Sequence, residues 1–281
     1  MPTFETPTPI DVALHLPVGA VEIVASDRTD TVVTVSPTNP ERPADVKGAS
    51  ETTVTFAGSQ LTIKGPKPRF NFVGPNESIE IKVEIPSGSR VTAEVSMGGL
   101  HTTGRLGATR LKGSLGALAI DSTGDLSINN SHGNVVVRSV DGSLDITASH
   151  GQIHVGSVTG DATLKASHGS VTVDESGGDL QAKLSYGDLN VGKSTGSVQA
   201  KTAYGAISVG EVSTGSIELE SGFGEVTVGV RQGIAAWLDL SSKKGHVRNE
   251  LEKESAPGLS EQTVSVRART QYGNISVRRA R

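Results

Sequence analysis

The stretch ASHGQIHVGSVTGDATLKASHG, residues 148–169, carries Ser-His-Gly near both ends, and the tripeptide occurs once more at residues 131–133. His132, His150 and His168 therefore recur every 18 residues. Glycine keeps the same count: Gly133, Gly151, Gly169, Gly187 and Gly205 are spaced by 18, with Gly116, Gly224, Gly245 and Gly273 in the same sequence context. A second glycine sits nine or ten residues further on, at Gly124, Gly142, Gly160, Gly178, Gly196 and Gly215. A fixed period of this size marks a solenoid, in which each coil is one supersecondary unit stacked on the next.

Each coil divides into two halves. Apolar residues follow the first glycine at +2 and +4, as in Ile153 and Val155, Val171 and Val173, Leu189 and Val191. After the second they fall at +2, +4 and often +6, as in Leu144, Ile146 and Ala148 or Leu180, Ala182 and Leu184. Period-two alternation means one-sided strands, with polar residues such as Asp145, Thr163, Gln181 and Glu218 facing water. Glycine suits the corners, where a tight bend needs positive φ or close backbone approach. One such coil buries too little to offset the entropy of ordering it, so only stacking makes it stable. The sub-period of nine disfavours the hexapeptide helix of acyltransferases, and the paired-glycine motif of calcium-binding nonapeptide rolls is absent from consecutive halves.

The position before the first glycine reads Leu115, His132, His150, His168, Tyr186, Tyr204, Phe223, Lys244 and Tyr272. A place that accepts Leu, His, Tyr and Phe is a stack of flat fillers, and alternation continues the inward set through it. Burial there would disfavour a charged imidazole. A zinc site is the weaker reading, because three imidazoles spread over two rungs do not converge and no carboxylate column faces them. One outward column, Lys165, Lys183 and Lys201, suits the gripping of a polyanion. It suits better still the solvated lysines that keep a flat sheet from pairing laterally.

Composition agrees with an all-β chain. Aromatics are 3 % of the 281 residues, glycines number 34, and β-branched residues fill the apolar runs. A net charge of −4 leaves no global field for nucleic acid or an anionic membrane. Zero cysteine excludes disulfides, thiolate nucleophiles and Cys-type zinc sites. MPTFETPTPIDVALHLPVGAVEIV shows no basic segment followed by an apolar one, and no run is long enough to span a bilayer, so a cytoplasmic location is expected.

Residues 1–90 lack the period but contain alternating strands at 10–16, 20–25, 31–36, 52–58, 60–65 and 78–86. They are expected to form an N-terminal β-segment that closes one end of a solenoid covering 91–281. The Pro-rich 36–51 is expected to include a short helical turn. Lys67, Arg69, Phe70 and Phe72 crowd one loop, which reads as an anchored surface loop rather than a single-strand nucleic-acid site. NELEKESAPGLSEQ, 249–262, is a polar insertion, after which TVSVRARTQYGNISVRRAR resumes the repeat and stops. Arg267, Arg269, Arg278, Arg279 and Arg281 would then mark an open terminal rung that repels a second copy or meets an acidic partner. Parallel crossovers favour a right-handed coil.

Paired carboxylates, Ser-His-Asp order and phosphate loops are not found, since Asp125, Asp145, Asp161, Asp179 and Asp188 are dispersed and the glycines belong to corners. No catalytic, cofactor-binding or metal-ligating residue is nominated, and no cofactor is expected.

The Gly-x-φ-x-φ coils ending in S-H-G, S-Y-G or A-Y-G, with GEVTVGVRQGIAAWLDLSSKKGHVRNELE (224–252) and VRARTQYGNISVRR (266–279), resemble a bacterial family of unknown function known as "putative adhesins", β-strand-repeat proteins common in actinobacteria. The resemblance implies an all-β, single-stranded β-solenoid and supplies no site residues. The expectation is a non-enzymatic scaffold or adhesin-like module that binds a protein partner. The alternatives are an end-to-end self-associating filament resembling bactofilins and, below that, a carbohydrate- or metal-handling enzyme.

Overall fold

The computed structural model describes residues 1–67, 70–71, 74–75, 77–251 and 263–280. The chain is nearly all β, a single-stranded β-solenoid wound from parallel strands, and separates into two compact units, Met1–Asp141 and Gly142–Arg281.

In the second unit each coil is a pair of strands joined at a glycine corner. Leu144–His150 turns into Ile153–Val158, Ala162–His168 into Val171–Ser176, Leu180–Tyr186 into Leu189–Ser194, and Val198–Tyr204 into Ile207–Val212. Successive coils pair in parallel and in register, so that Leu144 meets Ala162, Ala162 meets Leu180 and Leu180 meets Val198. One face of every strand thereby fills the core. Ile146, Leu164, Val171, Leu189 and Val198 have no exposed surface.

The two glycine columns solve different problems. Gly169, Gly187 and Gly205 have φ of +130°, +141° and +149°, a region that essentially only glycine adopts. Gly160 and Gly178, which are not at positive φ, are needed for space, because a Cβ on Gly160 would sit 2.6 Å from the Gly142 carbonyl oxygen. Asparates bordering the corners tie one coil to the next: the Ser197 N–H donates to Asp179 Oδ1 at 2.9 Å, and the Ala206 N–H to Asp188 Oδ1 at 2.8 Å. The dispersed carboxylates of the sequence are thus partly a hydrogen-bond ladder.

The last coils are not in chain order. Gly215–Phe223 pairs with Thr263–Tyr272, which pairs in turn with Ala235–Lys244. On the opposite sheet Val226–Val230 pairs with Ile275–Arg279, and that strand with Val247–Asn249. The C-terminal strands are therefore inserted between earlier ones, and the outermost described coil of this unit is Ala235–Asn249. This corrects the expectation that the C-terminal arginines mark the open rung. Arg267 instead binds Asp239 at 3.1 Å and Glu218 at 3.8 Å, and Arg269 reaches Asp239 at 3.5 Å. Arg279 donates to the Ile234 carbonyl at 2.9 Å. Arg278 is exposed, and Arg281 lies outside the described residues.

In the first unit the coil geometry is already present at Asp11–Ser26, a 16-residue strand bent at Gly19, whose φ is +137°. Its first part pairs in parallel with Arg90–Met97 and its second with Leu100–Thr103. The period is invisible in the sequence there because residues 27–89 intervene between one coil and the next. Within that excursion Asp30–Pro37 pairs antiparallel with Ile79–Pro86, and Thr53–Ala57 with Gln60–Lys64. The expected helical turn is a helix, Pro43–Glu51. Its buried Asp45 accepts hydrogen bonds from the Asn39 and Ser78 N–H groups at 3.2 and 3.0 Å, which fastens the helix to both flanking segments. Of the Lys67, Arg69, Phe70 and Phe72 cluster, Lys67 is exposed and Phe70 starts a two-residue strand, while Arg69 and Phe72, like most of the 249–262 insertion, lie outside the described residues.

Candidate functional site

The column of rings is where sequence and structure part. His150, His168, Tyr186, Tyr204, Phe223 and Tyr272 form one continuous stack within the second unit, with centroids 4.6 to 5.0 Å apart and planes within 7° of parallel. Lys244 closes it, its ammonium 5.0 Å from the Tyr272 ring centre. Stacking was expected, but the inward position was not met. His132, His150 and His168 are exposed, and the other four rings are 42 to 49 % exposed.

The reason lies at the corner. The two residues before each positive-φ glycine both face outward, so strict alternation ends one residue early. The last inward place is held by Ala148, Ala166 and Leu184 before His150, His168 and Tyr186, and further along by a small polar group that satisfies a corner carbonyl of the neighbouring coil. Thr202 Oγ1 donates to the Gly187 carbonyl at 3.3 Å, Ser221 Oγ to Gly205 at 2.9 Å, and Thr270 Oγ1 to Gly224 at 3.0 Å. The ring is left on the outside, stacked on its neighbours above and below.

Parallel imidazoles stacked 4.7 Å apart also carry their nitrogen lone pairs in parallel planes, which do not converge on one zinc ion at about 2.0 Å from each. Among the described residues no three His, Asp or Glu side chains are grouped so as to hold a metal. Nor is any helix long and apolar enough to cross a membrane.

The sheet face beside the rings has a composition of its own. On the three coils Ala162–His168, Leu180–Tyr186 and Val198–Tyr204, register aligns Thr163, Gln181 and Gln199 in one outward column. Lys165, Lys183 and Lys201 form the next, then Ser167, Ser185 and Ala203, then the rings of His168, Tyr186 and Tyr204. On these three coils no carboxylate stands within the four columns, which meet Asp145 one rung away at one end and Glu218 and Glu220 at the other. Asp161 and Asp179 border them but engage backbone N–H groups of the next coil. Lys201 is bound to Glu220 at 2.8 Å, which raises its ammonium pKa above the ordinary value by hydrogen bonding and charge. Lys165 and Lys183 have no carboxylate partner among the described residues. Small residues on either side leave the rings standing as a ridge above a flat, donor-rich, cationic shelf.

A second concavity lies in the first unit, an open groove of about 580 Å³ floored by Ala20, Ala117 and Ala119 and flanked by Glu22, Lys82 and His101. Glu22 and Lys82 are 3.5 Å apart, and the Thr103 hydroxyl lies 3.2 Å from His101 Nε2. Sequence reasoning missed it because its walls come from residues that share no period.

Among curated proteins, none matches this chain. Solved structures do. A putative adhesin from Bacteroides fragilis is 13 % identical with a TM-score of 0.37, over 98 % of this chain and 95 % of that one. A putative adhesin from Parabacteroides merdae is 12 % identical with a TM-score of 0.35, over 100 % and 95 %. A putative cell adhesion protein from Clostridium sporogenes is 12 % identical with a TM-score of 0.23, over 99 % and 98 %. The sequence profile of one family spans residues 12–279, nearly every coil described above, and by that match this chain belongs to the Toastrack DUF4097 family.

Proposed function

We propose that this protein is a non-enzymatic, adhesin-like scaffold that binds a protein partner with an acidic surface through the shelf and ridge of the second unit. The observation that carries this reading is the carboxylate-free face itself. Lys165 and Lys183 stand one rung apart with no carboxylate partner among the described residues, beside ring edges and amide donors that suit oxygen acceptors. The coils supply rigidity: each of these rungs pairs in register with the one before and the one after, so the columns keep their spacing with little ordering cost on binding.

Immobilised poly-glutamate tests the chemistry. The wild-type protein is expected to be retained at low ionic strength and released as salt rises, since each exposed pair contributes modestly and is screened. The double variant Lys165→Glu/Lys183→Glu, with an unchanged far-UV spectrum, should elute without retention. Equal behaviour of the two proteins, or no retention of the wild type, would overturn the reading.

A further inference from the structure

We infer that the outermost coil of the second unit, Ala235–Asn249, is an interface for a second copy of this chain, joined edge to edge by antiparallel strands. The inference concerns a different surface from the shelf and stands without it.

Three observations lead there. Ala235–Lys244 pairs on one side only, with Thr263–Tyr272, and Val247–Asn249 only with Ile275–Arg279; among the described residues no strand meets their other edges. A ten-residue edge thus leaves a row of N–H and C=O groups open. Next, its core residues are uncovered. Ala236, Leu238 and Leu240 are only half-buried, although their register partners Val264, Val266 and Ala268 have no exposed surface. Trp237 is 68 % exposed and Val247 46 %. Lastly, the protections are confined to one end of the strand, at Lys243 and Lys244. The strand contains no proline, and its one carboxylate, Asp239, is already held by Arg267 and Arg269.

The charges along the edge choose the occupant. Antiparallel pairing of the strand with itself about Ser241 sets Asp239 opposite Lys243 twice, once on each side of a two-fold axis, and puts Leu240 opposite Ser242 on the core side. Ser241 lies four residues before Gly245 and Arg248 three after it, so an axis through both also pairs Val247 with Asn249 on the second sheet. Both open edges close together, and the two exposed core ends cover each other.

Sedimentation equilibrium over a wide concentration range, with emission of Trp237 as the second readout, tests this on the full chain; Trp237 is the only tryptophan. The wild type is expected to pass from monomer to dimer mass and stop there, with tryptophan emission shifting to the blue over the same range. Lys243→Glu, which puts two like-charged pairs across the axis, should weaken the dimer at least tenfold while leaving the far-UV spectrum unchanged. A wild type that stays monomeric, a Lys243→Glu protein that dimerises equally well, or mass that grows past two chains would each overturn the inference.

Discussion

Replacing Gly187 with alanine isolates the feature on which the coil depends. Its φ of +141° lies where an L-residue is strained by roughly 1–3 kcal/mol. The new Cβ would also lie 2.6 Å from the Gly169 carbonyl carbon, and closer still to its oxygen, in the adjacent coil. Rung spacing is fixed by backbone hydrogen bonds, so relief requires the Gly169 N–H to draw back from the Tyr186 carbonyl, now at 2.9 Å, at about 1 kcal/mol. Together these predict a loss of about 3 kcal/mol. Gly233→Ala is the control: φ is +76°, but nothing lies within 4 Å of the added atom, so only left-handed strain of about 1 kcal/mol remains. Urea unfolding followed by far-UV circular dichroism compares the two. Losses within about 0.5 kcal/mol of each other would show that approach between coils does not set the glycine requirement, and would refute the reasoning.

Two further outcomes follow from side-chain contacts. Tyr204 stacks on Tyr186 and Phe223 at 5.0 and 4.9 Å, so Tyr204→Ala should cost about 1–2 kcal/mol in the same unfolding assay while Tyr204→Phe stays close to wild type; equal losses would mean that the hydroxyl, not the stack, matters. In the first unit the Arg138 guanidinium, by its hydrogen bond, holds the Asp121 carboxyl below the usual aspartate range, helped by the Gly104 N–H and opposed by partial burial. A depressed carboxylate contributes stability above the unfolded-chain value of about 3.9 and loses it as pH falls through the lower folded value. Asp121→Asn should therefore cost about 1 kcal/mol at neutral pH and little below about pH 3, and a pH-independent difference would rule this account out.

Residues 116–230 could be laid out as coils from sequence because their order is local and periodic. Glycine every 18 residues, with apolar residues alternating between, admits few structures other than stacked strands. The lysine column was legible for the same reason: register follows directly from the period. Asp11–Ser26 escaped because 63 residues, 27–89, separate it from the next coil, and a period cannot be seen across one long interruption. The ring column was found as a column but placed on the wrong side. Alternation is a property of the straight strand and fails at the corner, where Gly205 or Gly224 bends the chain and Thr202 or Ser221 takes the last inward place.

What the sequence determined by itself, then, is everything that repeats: coil length, the core face, the glycine corners and the stacking of the rings. What only the tertiary structure decided is how the series ends. Strands Thr263–Tyr272 and Ile275–Arg279 follow Ala235–Asn249 in the chain yet lie inside it in the stack. Identical coil chemistry fits either order, and the choice rests on which pair of coils packs with its apolar face covered on both sides. Val264, Val266 and Ala268 bury fully there, while Leu238 and Leu240 are left at the edge. That long-range competition has no local signature, and it is what exposes Trp237 and the open strand beside it.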